Sequence, residues 1–88
     1  MPERFFLYDD TVSSSVRFVS FLGKHQRYDL GIIHTDRYFG KAIVLDIQSN
    51  RFAIIGPDDL DEEGYIEYAF QLSTEEAEEL TSFLLEIV

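Results

Sequence analysis

The segment Asp36–Asp59 reads DRYFGKAIVLDIQSNRFAIIGPDD, and it decides the fold of this chain. It contains two apolar runs, Ala42–Ile47 and Phe52–Ile55, which are separated by the polar pair Ser49-Asn50. Both runs are rich in β-branched residues and both end at turn-forming residues, a pattern that predicts a β-hairpin. Asn50 tolerates the positive φ that a two-residue hairpin loop requires, so we place the loop at Ser49-Asn50.

Side-chain alternation divides this predicted hairpin into two faces, and Ile47 would lie opposite Phe52. The first face is wholly apolar and has to be covered by the rest of the chain; it carries Ile43, Leu45, Ile47, Phe52 and Ile54. The second face is mixed and carries Val44, Asp46, Gln48, Arg51, Ala53 and Ile55. A slip by one residue would move Asp46 into the apolar set, so the pattern specifies which residues share a face.

Further elements follow from the same kind of pattern. Four more strands are predicted at Arg4–Tyr8, Val16–Leu22, Tyr28–Thr35 and Tyr65–Leu72. Gly31, inside the third of these, indicates a bulge or a close approach by another backbone. After the acidic loop 58–64, Ser73-Thr74-Glu75-Glu76 forms a capping box that begins the one predicted helix. We therefore expect a single α+β domain over residues 1–88, with a mostly antiparallel sheet of about five or six strands and one C-terminal helix packed on it.

Composition narrows the class of protein. Eighty-eight residues are enough for one domain. The chain has no cysteine, so disulfides and cysteine-based metal sites are excluded. No stretch approaches the roughly 18 apolar residues that span a bilayer, and residues 1–10 lack the pattern of a secretory signal. These features predict a cytoplasmic protein.

Charge is distributed unevenly along the chain. Residues 1–51 hold seven bases against six acids, a net of +1, whereas residues 52–88 hold eleven acids and no Lys or Arg, a net of −11. Nucleic-acid and anionic-membrane binding both depend on basic groups, so we expect neither. The charge favours a basic protein partner or a cation. A basic protein partner or self-association would use the acidic or aromatic surface. A simpler interpretation is that the acids only keep a small domain soluble.

The chain also resembles a family of small cytosolic proteins of Gram-positive bacteria that is known as a domain of unknown function. Three blocks carry the resemblance: ERFFLYDDTV at residues 3–12, TDRYFGK at 35–41 and QSNRFAIIGPDDL at 48–60. The resemblance implies a free-standing bacterial cytosolic domain, and it assigns no activity, ligand or catalytic residue.

The first candidate site is the connection that contains Arg37, Tyr38 and Phe39. Two adjacent aromatic residues are unusual in a connection, and Tyr and Arg are favoured at protein interfaces, so we predict a partner-binding patch. Tyr8 with Asp9 and Asp10 could belong to it. The alternative is that the two aromatic side chains close one end of the core.

The second candidate site is the acidic loop, whose speculative partner-binding residues are Asp58, Asp59, Asp61, Glu62 and Glu63. The run from Asp59 partly imitates a calcium-binding loop, but Phe70 stands at the twelfth position, where a bidentate Glu is needed. We therefore predict no bound metal and no cofactor. Small-ligand or divalent-metal binding by residues 58–63 remains the alternative function.

The sequence gives less support for a catalytic site than for either of these candidate binding sites. Ser13–Ser15, His34 and Asp36 could be imagined as a nucleophile site, but no nucleophile elbow surrounds them. His25 lies in a turn beside Lys24 and Arg27, a poor setting for a metal ligand. A small Sm-type barrel is disfavoured because Gly40 replaces the usual asparagine and the helix is at the wrong end. We expect an interaction module rather than an enzyme.

Overall fold

The structure, a computed structural model, describes residues 3–88. Within that range four strands form one antiparallel sheet in the order β1-β2-β3-β4, three α-helices follow, and a 3-10 helix, Asp36–Tyr38, joins β2 to β3. The elements are β1 Ser14–Leu22, β2 Arg27–Thr35, β3 Ala42–Asp46, β4 Arg51–Ile55, α1 Pro57–Asp61, α2 Tyr65–Phe70 and α3 Thr74–Leu84. The α+β class is confirmed, but the sheet has four strands rather than five or six, and three α-helices replace the one expected.

The predicted strand Arg4–Tyr8 is wrong. Residues 3–13, here called the amino-terminal segment, form no strand, and the side chains of Phe5 and Leu7 are almost fully exposed. Alternation of apolar residues is only half of what a strand needs, because its backbone must also pair with a neighbouring strand. Among the described residues, the outer edge of β1 pairs with no further strand, so the amino-terminal segment does not extend the sheet.

The predicted strand Tyr65–Leu72 is also wrong, since most of it forms α2. Gly64 and Gln71 flank the helix with φ values of 80° and 55°, so left-handed residues stand at both ends. Ile66 and Phe70 are buried one turn apart, whereas Tyr68, which a strand would place on their face, is 78% exposed. The buried side chains of this segment therefore recur every four residues, as on one face of a helix, and not every second residue, as on one face of a strand.

The acidic loop expected at residues 58–64 contains the short helix α1. Pro57 stands in its first turn, where a missing N–H costs nothing. The carboxylate of Asp59 accepts a hydrogen bond from the backbone N–H of Gly56 at 2.8 Å, which satisfies a donor at the helix start. Gly56-Pro57 ends β4, as expected.

The central hairpin, β3 with β4, has a longer loop than predicted. Leu45 pairs with Phe52 and Asp46 with Arg51, which leaves the four residues 47–50 as the loop. Asn50 does adopt a positive φ, of 59°. The pairing differs from the predicted register by two residues, and a shift of two leaves every side chain on its predicted face.

The helices cover the face of the sheet that we did not expect. The covered face carries the buried residues Tyr28, Leu30, Ile32, Ala42, Val44, Ala53 and Ile55. Phe70, Leu80 and Leu84 pack onto it from α2 and α3. The opposite face, here called the open face, holds the wholly apolar side of the central hairpin, together with Val16, Phe18, Leu22 and Ile33. Our expectation that the apolar side of the hairpin is covered is therefore wrong.

Two features tie α3 to the sheet. The capping box is confirmed, with Ser73 and Glu76 exchanging hydrogen bonds of 2.9 and 3.2 Å. The carboxylate of Glu79 accepts hydrogen bonds from the backbone N–H groups of Lys24 and His25 in the β1–β2 turn and from the Tyr28 hydroxyl at 2.8 Å. One helix side chain thus holds the turn against α3.

Gly31 marks neither of the features that we expected. It lies in regular ladders on both sides, opposite Phe18 and Leu45. A Cβ atom built at this position would lie 3.3 Å from Cδ1 of Leu45, so it is a side chain and not a backbone that comes close.

Candidate functional site

The connection between β2 and β3 is held by its own hydrogen bonds. The hydroxyl of Thr35 accepts from the N–H of Arg37 at 3.3 Å, and the N–H of Lys41 donates to the carbonyl of Tyr38 at 3.0 Å. Gly40 completes the turn at a φ of 77°. The result is that Tyr38 is half-buried, while Phe39 projects from the turn and is 94% exposed.

Arg37 connects this turn to the amino-terminal segment. Its guanidinium lies over the ring of Tyr8, 4.0 Å from the centroid, and donates a hydrogen bond to the Asp10 carboxylate at 3.2 Å. The sequence could not place Tyr8 and Asp10 near the turn, because they are 27 or more residues away from Arg37. We call Tyr8, Asp10, Arg37, Tyr38 and Phe39 together the aromatic patch.

An open cleft of about 580 Å³ lies beside the aromatic patch. Its apolar lining includes Ile87 and Val88, and its polar lining includes Ser13, Ser14, Ser15, His34, Asp36 and Lys41. Ser15 and His34 are register partners on neighbouring strands. The residues of the imagined nucleophile site therefore share one cleft. Within residues 3–88, however, no hydrogen bond joins His34 to a serine or to Asp36, so a nucleophile–base pair is not formed.

Asp59 is used inside the fold. Besides accepting from Gly56, its carboxylate forms an ion pair with the ammonium of Lys41 at 3.1 Å. The backbone hydrogen bond from Gly56, and then the charge of Lys41, hold the pKa of Asp59 below its usual value. The same ion pair raises the pKa of Lys41. It also places the start of the acidic loop next to the connection that carries Phe39.

Within residues 3–88, the side chains of the other predicted acids form no ion pair or hydrogen bond. Asp58, Asp61, Glu62 and Glu63 are exposed. Glu62 and Glu63 line a groove of about 460 Å³ against α3, together with Glu67 and Glu78. In the described part of the chain, no group of three His, Cys, Asp or Glu residues is placed so that it could hold a metal ion.

None of the helices in residues 3–88 is both long and apolar enough to cross a membrane. The model of the SAV0927-like family matches residues 7–86 of this chain. The protein belongs to the SAV0927-like family. No curated protein matches the chain. The description of the SAV0927-like family names no activity, so membership assigns no role to any residue.

The match to the SAV0927-like family spans every residue of the aromatic patch and the acidic loop. It also spans a surface that sequence reasoning missed, the open face of the sheet. Phe18 and Phe52 are 76% and 65% exposed there, in one cross-strand row with Gly31 and Leu45. A signal for this surface was present in the sequence, since the mixed face of the predicted hairpin also carries Val44, Ala53 and Ile55, and the one predicted helix can cover only one face.

Proposed function

We propose that this protein is a non-enzymatic protein-interaction module, and that it binds a partner with a basic surface through the aromatic patch and the neighbouring acidic loop. The observation that supports this most directly is the position of Arg37 between the Tyr8 ring and the Asp10 carboxylate, next to the exposed Phe39. An arginine beside exposed aromatic rings is the composition of interface hot spots. As the resemblance to the Gram-positive family implies, the setting would be the bacterial cytoplasm.

Preorganisation favours binding at this patch. Arg37 is already held by two partners, and the turn that presents Phe39 is closed by backbone hydrogen bonds. A partner would therefore not have to pay for ordering these groups, which is a large part of the cost of association.

The charge of the acidic loop suits a basic partner. The Lys41–Asp59 ion pair brings α1 to the side of the connection, and Asp58 and Asp61 are exposed on that helix. An acidic surface beside an apolar contact raises the rate of encounter with a basic protein, and salt weakens that effect.

The alternative function, small-ligand or divalent-metal binding by residues 58–63, has less support. Asp59 is already neutralised by Lys41, and the exposed acids of this loop form no three-ligand group within the described residues. Calorimetry with calcium, magnesium and manganese tests it directly. A heat of binding that disappears in an Asp61→Asn variant would favour this alternative over the interaction module.

The experiment that tests the proposal is a quantitative pulldown from bacterial cytosol at low and high salt, with three tagged baits. The baits are the wild type, Phe39→Ala and the matched control Tyr68→Ala, which truncates an exposed aromatic residue on α2, outside the patch. We expect one protein to be recovered at low salt by the wild type and by the control, and to fall by about tenfold or more with Phe39→Ala. Recovery that is equal for all three baits, or unaffected by salt, would contradict the proposal.

A further inference from the structure

We infer that the open face of the sheet is a self-association surface, and that its occupant is a second copy of this chain. The apolar residues of the face are Val16, Phe18, Leu22, Ile33, Ile43, Leu45, Ile47, Phe52 and Ile54. The inference concerns a different surface from the aromatic patch and does not depend on the proposed function.

The area of the face is the first argument. Phe18 and Phe52, at 76% and 65% exposure, present about 280 Å² if each aromatic residue has about 200 Å² to bury. Val16, Leu22 and Ile47 are also exposed and bring the total to about 500–600 Å², the upper end for the largest apolar patch on a typical monomer. The half-buried residues between them extend this toward the roughly 800 Å² per partner of a stable interface.

The charge of the face is the second argument, and it selects a second copy over a basic partner. The charged residues of the open face are Arg27 and Asp29, which pair with each other at 3.1 Å. Ser20 also donates a hydrogen bond to Asp29 at 2.6 Å. The face is therefore neutral, although the chain carries a net charge of −10. The acid that a basic partner would find there, Asp29, is already paired with Arg27, whereas two copies can meet without like-charge repulsion across the interface.

The position of the helices is the third argument. α2 and α3 lie on the opposite side of the sheet and carry the acids Glu67, Glu75, Glu78 and Glu86 away from the open face. A twofold axis through the open face would stack two sheets face to face, in the way that β-sandwich layers pack about 10 Å apart. Each copy would then be covered by helices on one side of its sheet and by its partner on the other.

The test is the oligomeric state of the full chain by sedimentation equilibrium. We expect the wild type to be a dimer and the double variant Phe18→Glu/Phe52→Glu to dissociate at least about 100-fold more readily, because two large exposed apolar contacts of the face become charged. Phe39→Glu is the matched control at an exposed aromatic residue outside the open face, and it should leave the dimer intact. Circular dichroism of the double variant checks that it remains folded.

A second measurement keeps the test decisive if the double variant does not fold. The chain has no cysteine, so Ser20→Cys places a single thiol on the open face and Ser82→Cys places one on the outer side of α3. A short bifunctional thiol reagent should link two copies of the first variant and not of the second.

Three results would overturn the inference. They are a monomeric wild type, a dimer that the Phe18→Glu/Phe52→Glu change does not weaken, and linking through residue 82 in preference to residue 20. A monomeric wild type that dimerises when residues 1–12 are removed would assign the open face to the chain's own amino-terminal segment instead.

Discussion

Removing the hydroxyl of Tyr28 tests how α3 is joined to the sheet. Tyr28 is 3% exposed, and its hydroxyl oxygen lies 2.8 Å from Oε1 of Glu79 and 2.9 Å from the carbonyl oxygen of Glu76. Burial, and then the hydrogen bond to Glu79, raise the pKa of Tyr28 well above its usual value, so the hydroxyl stays a donor across the accessible pH range. A buried donor to a charged acceptor is therefore lost in Tyr28→Phe.

The magnitude follows from these contacts. Hydrogen bonds to charged groups contribute about 1.5–3 kcal/mol, and the lower end applies because the Glu79 carboxylate also reaches solvent. We expect Tyr28→Phe to lower the free energy of unfolding by about 1.5 kcal/mol, or the melting temperature by about 6–12 °C for a domain of this size. Urea titration followed by circular dichroism measures it. Tyr68→Phe removes an exposed hydroxyl by the same chemical change, and should cost no more than about 0.5 kcal/mol.

A double-mutant cycle identifies the partner. In a Glu79→Gln background the acceptor is neutral, so Tyr28→Phe should cost clearly less than it does in the wild type. An equal cost in the two backgrounds would refute the contact between Tyr28 and Glu79. A Tyr28→Phe variant as stable as Tyr68→Phe would refute the role of the hydroxyl altogether.

Three further predictions follow from other contacts. Partial desolvation raises the pKa of Glu79, but the hydrogen bonds from Tyr28 and the β1–β2 turn outweigh it and set that pKa below the unfolded value of 4.5. The stabilisation that Glu79 provides is therefore complete above about pH 4.5 and is lost as pH falls through the folded pKa. In Glu79→Gln, the free energy of unfolding should decrease less steeply as pH is lowered through this range. The same decrease as in the wild type would contradict this. Leu80→Ala, at a fully buried site, should lower the free energy of unfolding by about 2–5 kcal/mol, as measured by urea titration. Leu85→Ala, at an exposed site, should lower it by about 0.5 kcal/mol. Similar losses in the two variants would contradict the assigned core. Arg37→Ala should lower the NMR backbone order parameters of residues 8–10, and unchanged order parameters would show that Arg37 does not hold the amino-terminal segment.

Sequence patterns predicted the sheet better than they predicted the helices. Each of the four strands was located within two residues at its ends, because its apolar and turn-forming residues are local signals. α2 was missed because it has six residues and its apolar positions fit a period of two as well as a turn of helix. The four-residue spacing of Ile66 and Phe70 favours a helix over a strand only when a sheet is present for both side chains to pack on.

The choice of covered face could not be made from the hairpin alone. By itself the side with Leu45 and Phe52 is the more apolar one, which made it the expected core. In the folded chain, β3 pairs with β2, and the side with Val44 continues into Tyr28, Leu30 and Ile32. That continuity is a property of the whole sheet, and pairing between strands is the information that a local pattern lacks.

Part of the candidate site could be singled out from the sequence, and its partner-binding role stays a prediction. Arg37, Tyr38 and Phe39 stood out because aromatic residues are unusual in a connection, and the structure leaves Phe39 exposed. The contribution of Tyr8 and Asp10 depends on a contact between distant parts of the chain. The partner-binding role predicted for Asp59 stays a prediction, and its ion pair with Lys41 is a contact that sequence distance concealed.

The dependence of binding on salt concentration should distinguish the two surfaces that we propose. Binding of a basic partner gains from the acids of residues 58–63, so its affinity should fall as salt screens them. Two copies of a chain with a net charge of −10 repel each other at long range, while the open face itself is neutral and apolar. Added salt should therefore tighten the dimer while it weakens the complex with the partner. If both associations weaken together, the acids contribute to both interfaces, and the two surfaces are not independent.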